Sequence, residues 1–204
     1  MKNFEEVQHF GVNFRTREIY IGPTSVDSGT VDLEIGLRTL VSVAKACHAL
    51  DRSDGPITVH FCSPGGDVYA GLGIFDILKS MRNHVTIICH GLVASMGAII
   101  LQAADTRAMM PNSTLLLHEV SSNIDGPARA VKTESAESKR LMDLLNNIIL
   151  DRAKPRGLLG RGSYQTRLER LTRAYETEVE VYFDPARAKK WGLIDEILTQ
   201  GGVV

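Results

Sequence analysis

Short apolar runs rich in β-branched residues alternate with longer segments whose apolar residues recur every three or four positions. This alternation constrains the fold of the 204-residue chain more than any other feature. "ITVHFC" (57–62), "VTIIC" (85–89) and "TLLLH" (114–118) read as buried strands, and "REIYIG" (17–22) as a short one. After the turn-forming "PTSVDSGT" (23–30), Leu33, Leu37, Leu40, Val41, Ala44, Cys47 and Ala49 fall at helical spacing. The break "SPGG" is followed by a second helical pattern, with Val68, Leu72, Phe75 and Leu78 on one face. "CHGLVASMGAIILQAA" (89–104) reads as a third helix behind the strand at 85–89. Strand and helix in this rhythm predict βαβ units, hence an α/β fold with a largely parallel sheet.

The second half is patterned differently. From Ala128 to about Arg156 the period is helical, with Leu141, Leu144, Leu145, Ile148 and Ile149 as an apolar stripe. "DPARAKKWG" (184–192) predicts a short helix with Asp184 as N-cap, Pro185 in the first turn and Gly192 as stop. "LIDEIL" (193–198) predicts a closing strand. Neither a repeat nor a linker interrupts this, so residues 1–204 are expected to form one domain.

Composition excludes several classes. A formal net charge of −1 argues against a general nucleic-acid binder. The basic stretch Arg152–Arg173 is expected to be a solvated surface segment, with polyanion contact or a salt-bridged subunit interface as alternatives. The three widely spaced cysteines predict neither a disulfide framework nor a CxxC site, and read as small core residues in a reducing compartment. The N-terminus lacks an apolar signal-like run, and no run of about 18 apolar residues is present. A cytoplasmic location without membrane contact is expected. Metal-ligand spacings and phosphate loops are missing too, so neither a metal, a cofactor nor ATP hydrolysis by this chain is expected.

One hydroxyl stands out. Ser95 follows a strand and a small-residue turn and heads a helix, where unpaired backbone N–H groups favour negative charge. A serine becomes a nucleophile when a base takes its proton and donors receive the oxyanion. The N–H of Met96 is one candidate donor; Gly66, in the "SPGGD" turn that opens another helix, offers a second. His118 ends an apolar strand, where parallel sheets place their sites, and is the candidate base. The other five histidines, His9, His48, His60, His84 and His90, read as surface or satisfied core residues. An acid to orient His118 is sought in "AYETEVEVYFDP", where the candidates are Glu176, Glu178, Glu180 and Asp184; spacing alone does not choose among them, and Asp184 is already claimed as a helix cap. The order Ser, His, acid differs from that of α/β-hydrolases, and "VASMG" is not their GxSxG elbow.

Taken together, "SPGGDVYAG", "GLVASMGA", "PNSTLLLH" and "KKWGLIDEIL" resemble, in order and interval, the proteolytic subunit of the ATP-dependent Clp protease, of which this chain looks like a divergent member over about residues 17–198. The resemblance implies a crotonase-like spiral of βαβ units with a protruding helical handle at about 119–156, behind an N-terminal segment at about 1–16. It implies a serine endopeptidase acting on unfolded polypeptides and short peptides, with Ser95 as nucleophile, His118 as base, and Gly66 and Met96 as oxyanion-hole amides. Counting back from "GLID", the catalytic-acid position falls on Glu180 where the family has Asp. Implied partners are further copies of the chain, in a heptameric ring or stacked pair of rings, and a separate AAA+ unfoldase that hydrolyses ATP. Val181 replaces a family Arg, and "EVSSNIDGPARA" replaces the usual Gln-Pro and glycine-rich handle strand. These departures motivate an alternative, a catalytically impaired structural subunit of a mixed ring. An acyl-CoA enzyme or a Ser–Lys peptidase of the same broad fold is a third reading.

Overall fold

The computed structural model describes residues 11–22, 34–121 and 125–199, and the backbone alone at 24–25, 31–32 and 202–203. The first half comprises β1 (Val12–Asn13), β2 (Glu18–Ile21), β3 (Thr24–Ser25), β4 (Val31–Asp32), α1 (Leu37–Leu50), β5 (Ile57–Ser63) and α2 (Val68–Lys79). Then come β6 (Val85–Ala94), α3 (Met96–Leu101), β7 (Thr106–Met109) and β8 (Thr114–His118). The remainder is α4 (Ala128–Arg152), a 3-10 turn (Leu158–Gly160), α5 (Tyr164–Thr177), β9 (Glu180–Phe183), α6 (Pro185–Trp191), β10 (Glu196–Thr199) and β11 (Gly202–Val203). Leu33 and most of the turn expected at 23–30 lie outside the described residues, as do residues 1–10 with His9; β3 and β4 pair antiparallel within that stretch.

The architecture is mixed α/β. β2, β5, β6, β7 and β10 form a parallel ladder, and β8 branches from it parallel to β6; β1, β9 and β11 join antiparallel to β2, β8 and β10, making nine strands. Strand alternation sets the layers. In β5, Ile57, Val59, Phe61 and Ser63 are buried while Thr58, His60 and Cys62 are half-exposed. The buried face joins α1, α2 and α3 in one apolar cluster. Each fully buried side chain of this size contributes ~1.5–3 kcal/mol. Cys47 and Cys89 belong to that cluster, but Cys62 sits on the opposite face; all three thiols are free. On that face His60 Nδ1 and His90 Nε2 are 3.0 Å apart.

β6 corrects the sequence reading and also positions the site. Residues 89–94, expected as helix, continue the strand, because Leu92, Val93 and Ala94 pair in parallel with Thr114, Leu115 and Leu116. The first half of β6 pairs instead with β7, so the strand forks between two partners. The helix that follows is only Met96–Leu101, with all six residues buried. An element apolar on every side carries no period by which its ends can be read.

β7 escaped the sequence reading for a related reason. Arg107 in its middle is fully buried, which an apolar pattern does not anticipate; Nε and Nη2 donate to Asp195 at 3.1 and 2.8 Å, and Nη1 donates to Gln102 Oε1 at 2.5 Å. Lys154 adds a second cation 3.1 Å from Asp195. The basic stretch is likewise not simply a solvated surface. Arg152 Nε donates to Gln102 O at 2.9 Å, Arg167 to Leu150 O and Leu159 O, and Arg170 to Leu158 O. These guanidinium groups satisfy carbonyls at the ends of α3, α4 and the 3-10 turn, which helices leave unpaired. They also fix α5, a helix the charge pattern concealed.

α4 has two regimes. Ala128–Ala136 are exposed, whereas Leu141, Leu145, Ile149 and Leu150 are buried. The apolar stripe thus anchors only the C-terminal half. α6 forms as expected: Asp184 Oδ1 accepts from Arg187 N at 2.7 Å, and Gly192 adopts φ +84°.

Candidate active site

Ser95 occupies the junction of β6 and α3 with φ +54° and ψ −123°. A side chain in this region is strained by ~1–3 kcal/mol and persists only where the surroundings hold it. Here Ser95 N donates to Leu116 O at 3.0 Å, and Ser95 O accepts from Ala98 N at 2.9 Å. The hydroxyl makes no cap hydrogen bond, leaving Oγ uncommitted among the described residues. Met96 opens α3, so its N–H belongs to the first turn, which has no intrahelical acceptor.

The "SPGGD" turn lies directly against this junction. Gly65 has φ +106°, and a Cβ placed on it would stand 2.6 Å from Ser95 Cβ. Gly66 has φ +144°, and its Cβ would meet the Ile35 backbone at 2.4 Å. Only glycine permits both approaches. Ile35 N donates to Gly65 O at 2.7 Å, Asp67 N to Ile35 O at 2.8 Å, and Gly65 N to Ser63 Oγ at 3.1 Å. Asp67 Oδ1 then caps α2 through Ala70 N at 2.7 Å.

Gly66, Ser95, Met96 and His118 line one cavity of about 90 Å³. Its apolar wall includes Val68 and Ile99, and α4 supplies Met142, Leu145, Asn146 and Ile149. α4 is tied to α2 outside the cavity, where Tyr69 Oη donates to Glu137 Oε1 at 2.8 Å. Hydrogen bonds from Arg140 and Tyr69 push the Glu137 carboxyl down to about 2.

His118 is half-buried at the end of β8. Its Nδ1 lies 2.5 Å from Glu119 O. A carbonyl only accepts, so Nδ1 carries a proton, and in the neutral imidazole Nε2 is the basic nitrogen. The four acid candidates separate by position. Asp184 is spent on its helix cap, and Glu178 pairs with Arg187 at 2.8 Å. Glu176 lies on α5, next to the exposed surface formed by Thr172 and Arg173. Glu180 stands opposite His118 across the β8–β9 pair. Its carboxylate accepts from Tyr182 Oη at 2.6 Å, however, and no hydrogen bond joins Ser95, His118 and Glu180 to one another among the described residues.

Several residues of the cavity went unread in the sequence, two ionisable ones among them. Glu119 and Tyr175 both line it. Tyr175 is almost wholly buried, and burial, with the charge of Glu119 added, raises its phenol well above the usual range. Only the proximity of Glu119 to His118 in sequence signalled either one.

Fold and site together define a mixed α/β protein whose serine, held in a strained strand-to-helix turn, shares a small cavity with His118, Gly66 and Met96. Residues 34–201 match the Clp protease family, and the chain belongs to it. The chain is 29% identical to the ATP-dependent Clp protease proteolytic subunit 3, chloroplastic, of Arabidopsis thaliana, over 98% of this chain and 59% of that protein. It is 31% identical to the ATP-dependent Clp protease proteolytic subunit of Nephroselmis olivacea, over 70% of this chain and 63% of that protein. The chain thus spans about three-fifths of each relative's length. Among the described residues no helix is long and apolar enough to cross a membrane.

Proposed function

We propose that the chain is a serine endopeptidase subunit that cleaves unfolded polypeptides and short peptides. Ser95 Oγ attacks the scissile carbonyl, and His118 Nε2 takes its proton and returns it to the leaving amine. The N–H groups of Gly66 and Met96 receive the oxyanion; loss of one such donor costs ~3 kcal/mol of transition-state stabilisation. Glu180 orients and stabilises the imidazolium by turning from Tyr182 to His118 Nδ1, displacing the Glu119 carbonyl. The observation that carries this reading is Ser95 itself, strained to φ +54° with an uncommitted hydroxyl, in one cavity with Gly66, Met96 and His118.

The exposed N-terminal half of α4 acts as a handle between copies of the chain in a ring or a stacked pair of rings, on a single-domain spiral. Family membership and the "ATP-dependent" names of both relatives support an unfoldase partner that supplies ATP hydrolysis. A cytoplasmic location remains the reading of the sequence, while one relative is chloroplastic by name.

A specific observation favours a second reading, a structural subunit with impaired catalysis: Glu180 is bonded to Tyr182, and His118 Nδ1 to Glu119 O. Intact-mass analysis after exposure to a fluorophosphonate separates the two. One adduct per chain, lost in Ser95→Ala and His118→Ala, is the outcome for the peptidase. An assembled protein that takes no adduct establishes the structural subunit.

A further inference from the structure

The sheet face turned away from the apolar cluster carries a group that the proposed peptidase chemistry does not use. Thr58, His60 and Cys62 of β5 emerge on it, as does His90 of β6. Alternation along two neighbouring parallel strands brings the two rings together, with His60 Nδ1 and His90 Nε2 3.0 Å apart. A single N–H···N hydrogen bond accounts for that approach, but not for what surrounds His60. Its other nitrogen, Nε2, faces Glu18 Oε1 on β2 at 3.8 Å. Glu18 is itself held, because its Oε2 accepts from Thr16 Oγ1 at 2.7 Å and from Tyr20 Oη at 3.0 Å. The Tyr20 ring stacks on the His60 ring, with centroids 4.8 Å apart and planes 17° from parallel.

A carboxylate behind one ring nitrogen keeps the imidazole proton there and leaves the lone pair on the other. Metal-ligating histidines are supported in this way. His60 thus offers Nδ1 as an oriented donor, and His90 supplies the second lone pair when its proton sits on Nδ1. The spacing then selects the ion. With metal–nitrogen bonds of about 2.0–2.1 Å, nitrogens 3.0 Å apart subtend ~95° at the metal, whereas tetrahedral zinc needs them ~3.4 Å apart. Near-right angles between neighbouring ligands belong to square-planar and octahedral shells, and imidazole suits the ions that adopt them, Cu²⁺ and Ni²⁺. Among the described residues no group of three or more metal-ligating side chains forms, so water completes the shell. We propose that His60 and His90 bind one divalent ion of this class, which bridges β5 to β6. These strands lead into the "SPGGD" turn and into Ser95, so the ion braces the frame of the cavity from the far side of the sheet. The site stands on its own geometry, whether or not Ser95 is a nucleophile.

The test titrates the full, untagged chain with Ni²⁺ by calorimetry, beside His60→Phe and His90→Phe, which keep a ring of similar size. One ion per chain is expected, bound at least tenfold more weakly by either variant. X-ray absorption at the nickel edge should count two imidazoles per ion in the parent and one in each variant. At free Ni²⁺ about a hundred times Kd the parent's Tm should rise by ~5–10 °C, while the variants' should not move. Glu18→Gln removes neither donor and should weaken binding roughly tenfold, so the inference stays testable if a histidine variant fails to fold. No nickel bound by the folded chain would leave the two histidines a hydrogen-bonded pair only. Equal binding by both folded histidine variants, fewer than two imidazoles per ion in the parent, or affinity unmoved by Glu18→Gln would also overturn the inference. Zinc bound more tightly than nickel would overturn the geometric assignment of the ion.

Discussion

His118 on β8 stands directly opposite Glu180 on β9, and the alternation of the antiparallel pair puts both on the face that also carries Leu116 and Tyr182. The backbone thus sets the proposed base opposite the proposed acid, while hydrogen bonds turn their polar atoms elsewhere. Glu180 is held by Tyr182 Oη at 2.6 Å, and His118 Nδ1 by Glu119 O at 2.5 Å. The same Tyr182 bond, with the Glu180 charge, raises the Tyr182 phenol above its usual range.

The proposed turn of the Glu180 carboxylate from Tyr182 to His118 makes a directional prediction. Tyr182→Phe releases Glu180 and is expected to raise kcat on a fluorogenic peptide roughly fivefold, the worth of about 1 kcal/mol of hydrogen bond. Glu180→Ala is expected to lower activity and to erase the gain when combined with Tyr182→Phe. A gain that survives Glu180→Ala would mean that Tyr182 acts on something other than this carboxylate.

The strain at Ser95 predicts a trade between stability and activity. Ser95→Gly removes both the proposed nucleophile and the strain of φ +54°, and is expected to stabilise the fold by about 1 kcal/mol while abolishing turnover. For a chain of this size that is a rise in Tm of ~2–4 °C. Ser95→Ala loses activity equally but keeps its Cβ and its strain, so its Tm should stay with the parent. Differential scanning calorimetry of the three proteins decides it; matching Tm values for the glycine and alanine variants would show that the turn stores no strain.

Gly65 makes the complementary case. A methyl group there would lie 2.6 Å from Ser95 Cβ and 3.0 Å from Ala94 O, at a φ of +106° that side chains avoid. Gly65→Ala is expected to destabilise the chain by ~1–3 kcal/mol and to slow fluorophosphonate labelling of Ser95 at least tenfold in the fraction that remains folded. Unchanged labelling would mean that the turn and the serine junction are mechanically independent.

These relationships differ in how far the sequence exposes them. β5, β8, α2 and α6 follow from local pattern, because alternation, a Gly-Gly break, or a cap with proline and glycine determines each within a few residues. Ser95, Met96, Gly66 and His118 are legible because each sits at an element boundary. What stayed hidden depends on residues distant in sequence. Residues 89–94 are strand only because β8 lies beside them, and β7 accommodates Arg107 only because Asp195 arrives 88 residues later. Acid candidates that looked equivalent by spacing separate once β9 pairs with β8 and Arg187 claims Glu178. Asn146 was invisible, since a polar residue at a core position of a helix declares itself only when its neighbours are known.

The Arg107–Asp195 pair carries the last prediction, a stability that depends on pH. Burial by itself would raise the Asp195 carboxyl; the hydrogen bonds and charge of Arg107, with help from Lys154, more than reverse this and hold it below its usual value. The folded chain therefore binds this proton more weakly than the unfolded chain does. Its contribution is fully present above the ordinary aspartate value of about 4, and is lost as pH falls below that through the depressed folded value. Asp195→Asn leaves Arg107 buried without its counter-charge and is expected to cost ~3–5 kcal/mol near neutrality, a fall in Tm on the order of 10 °C. At low pH the parent chain loses the same counter-charge by protonation, so the two melting curves should converge as pH falls below about 4. Thermal unfolding of both proteins across that range tests the linkage. A Tm difference that stays constant with pH would mean that Asp195 acts through packing rather than through its charge.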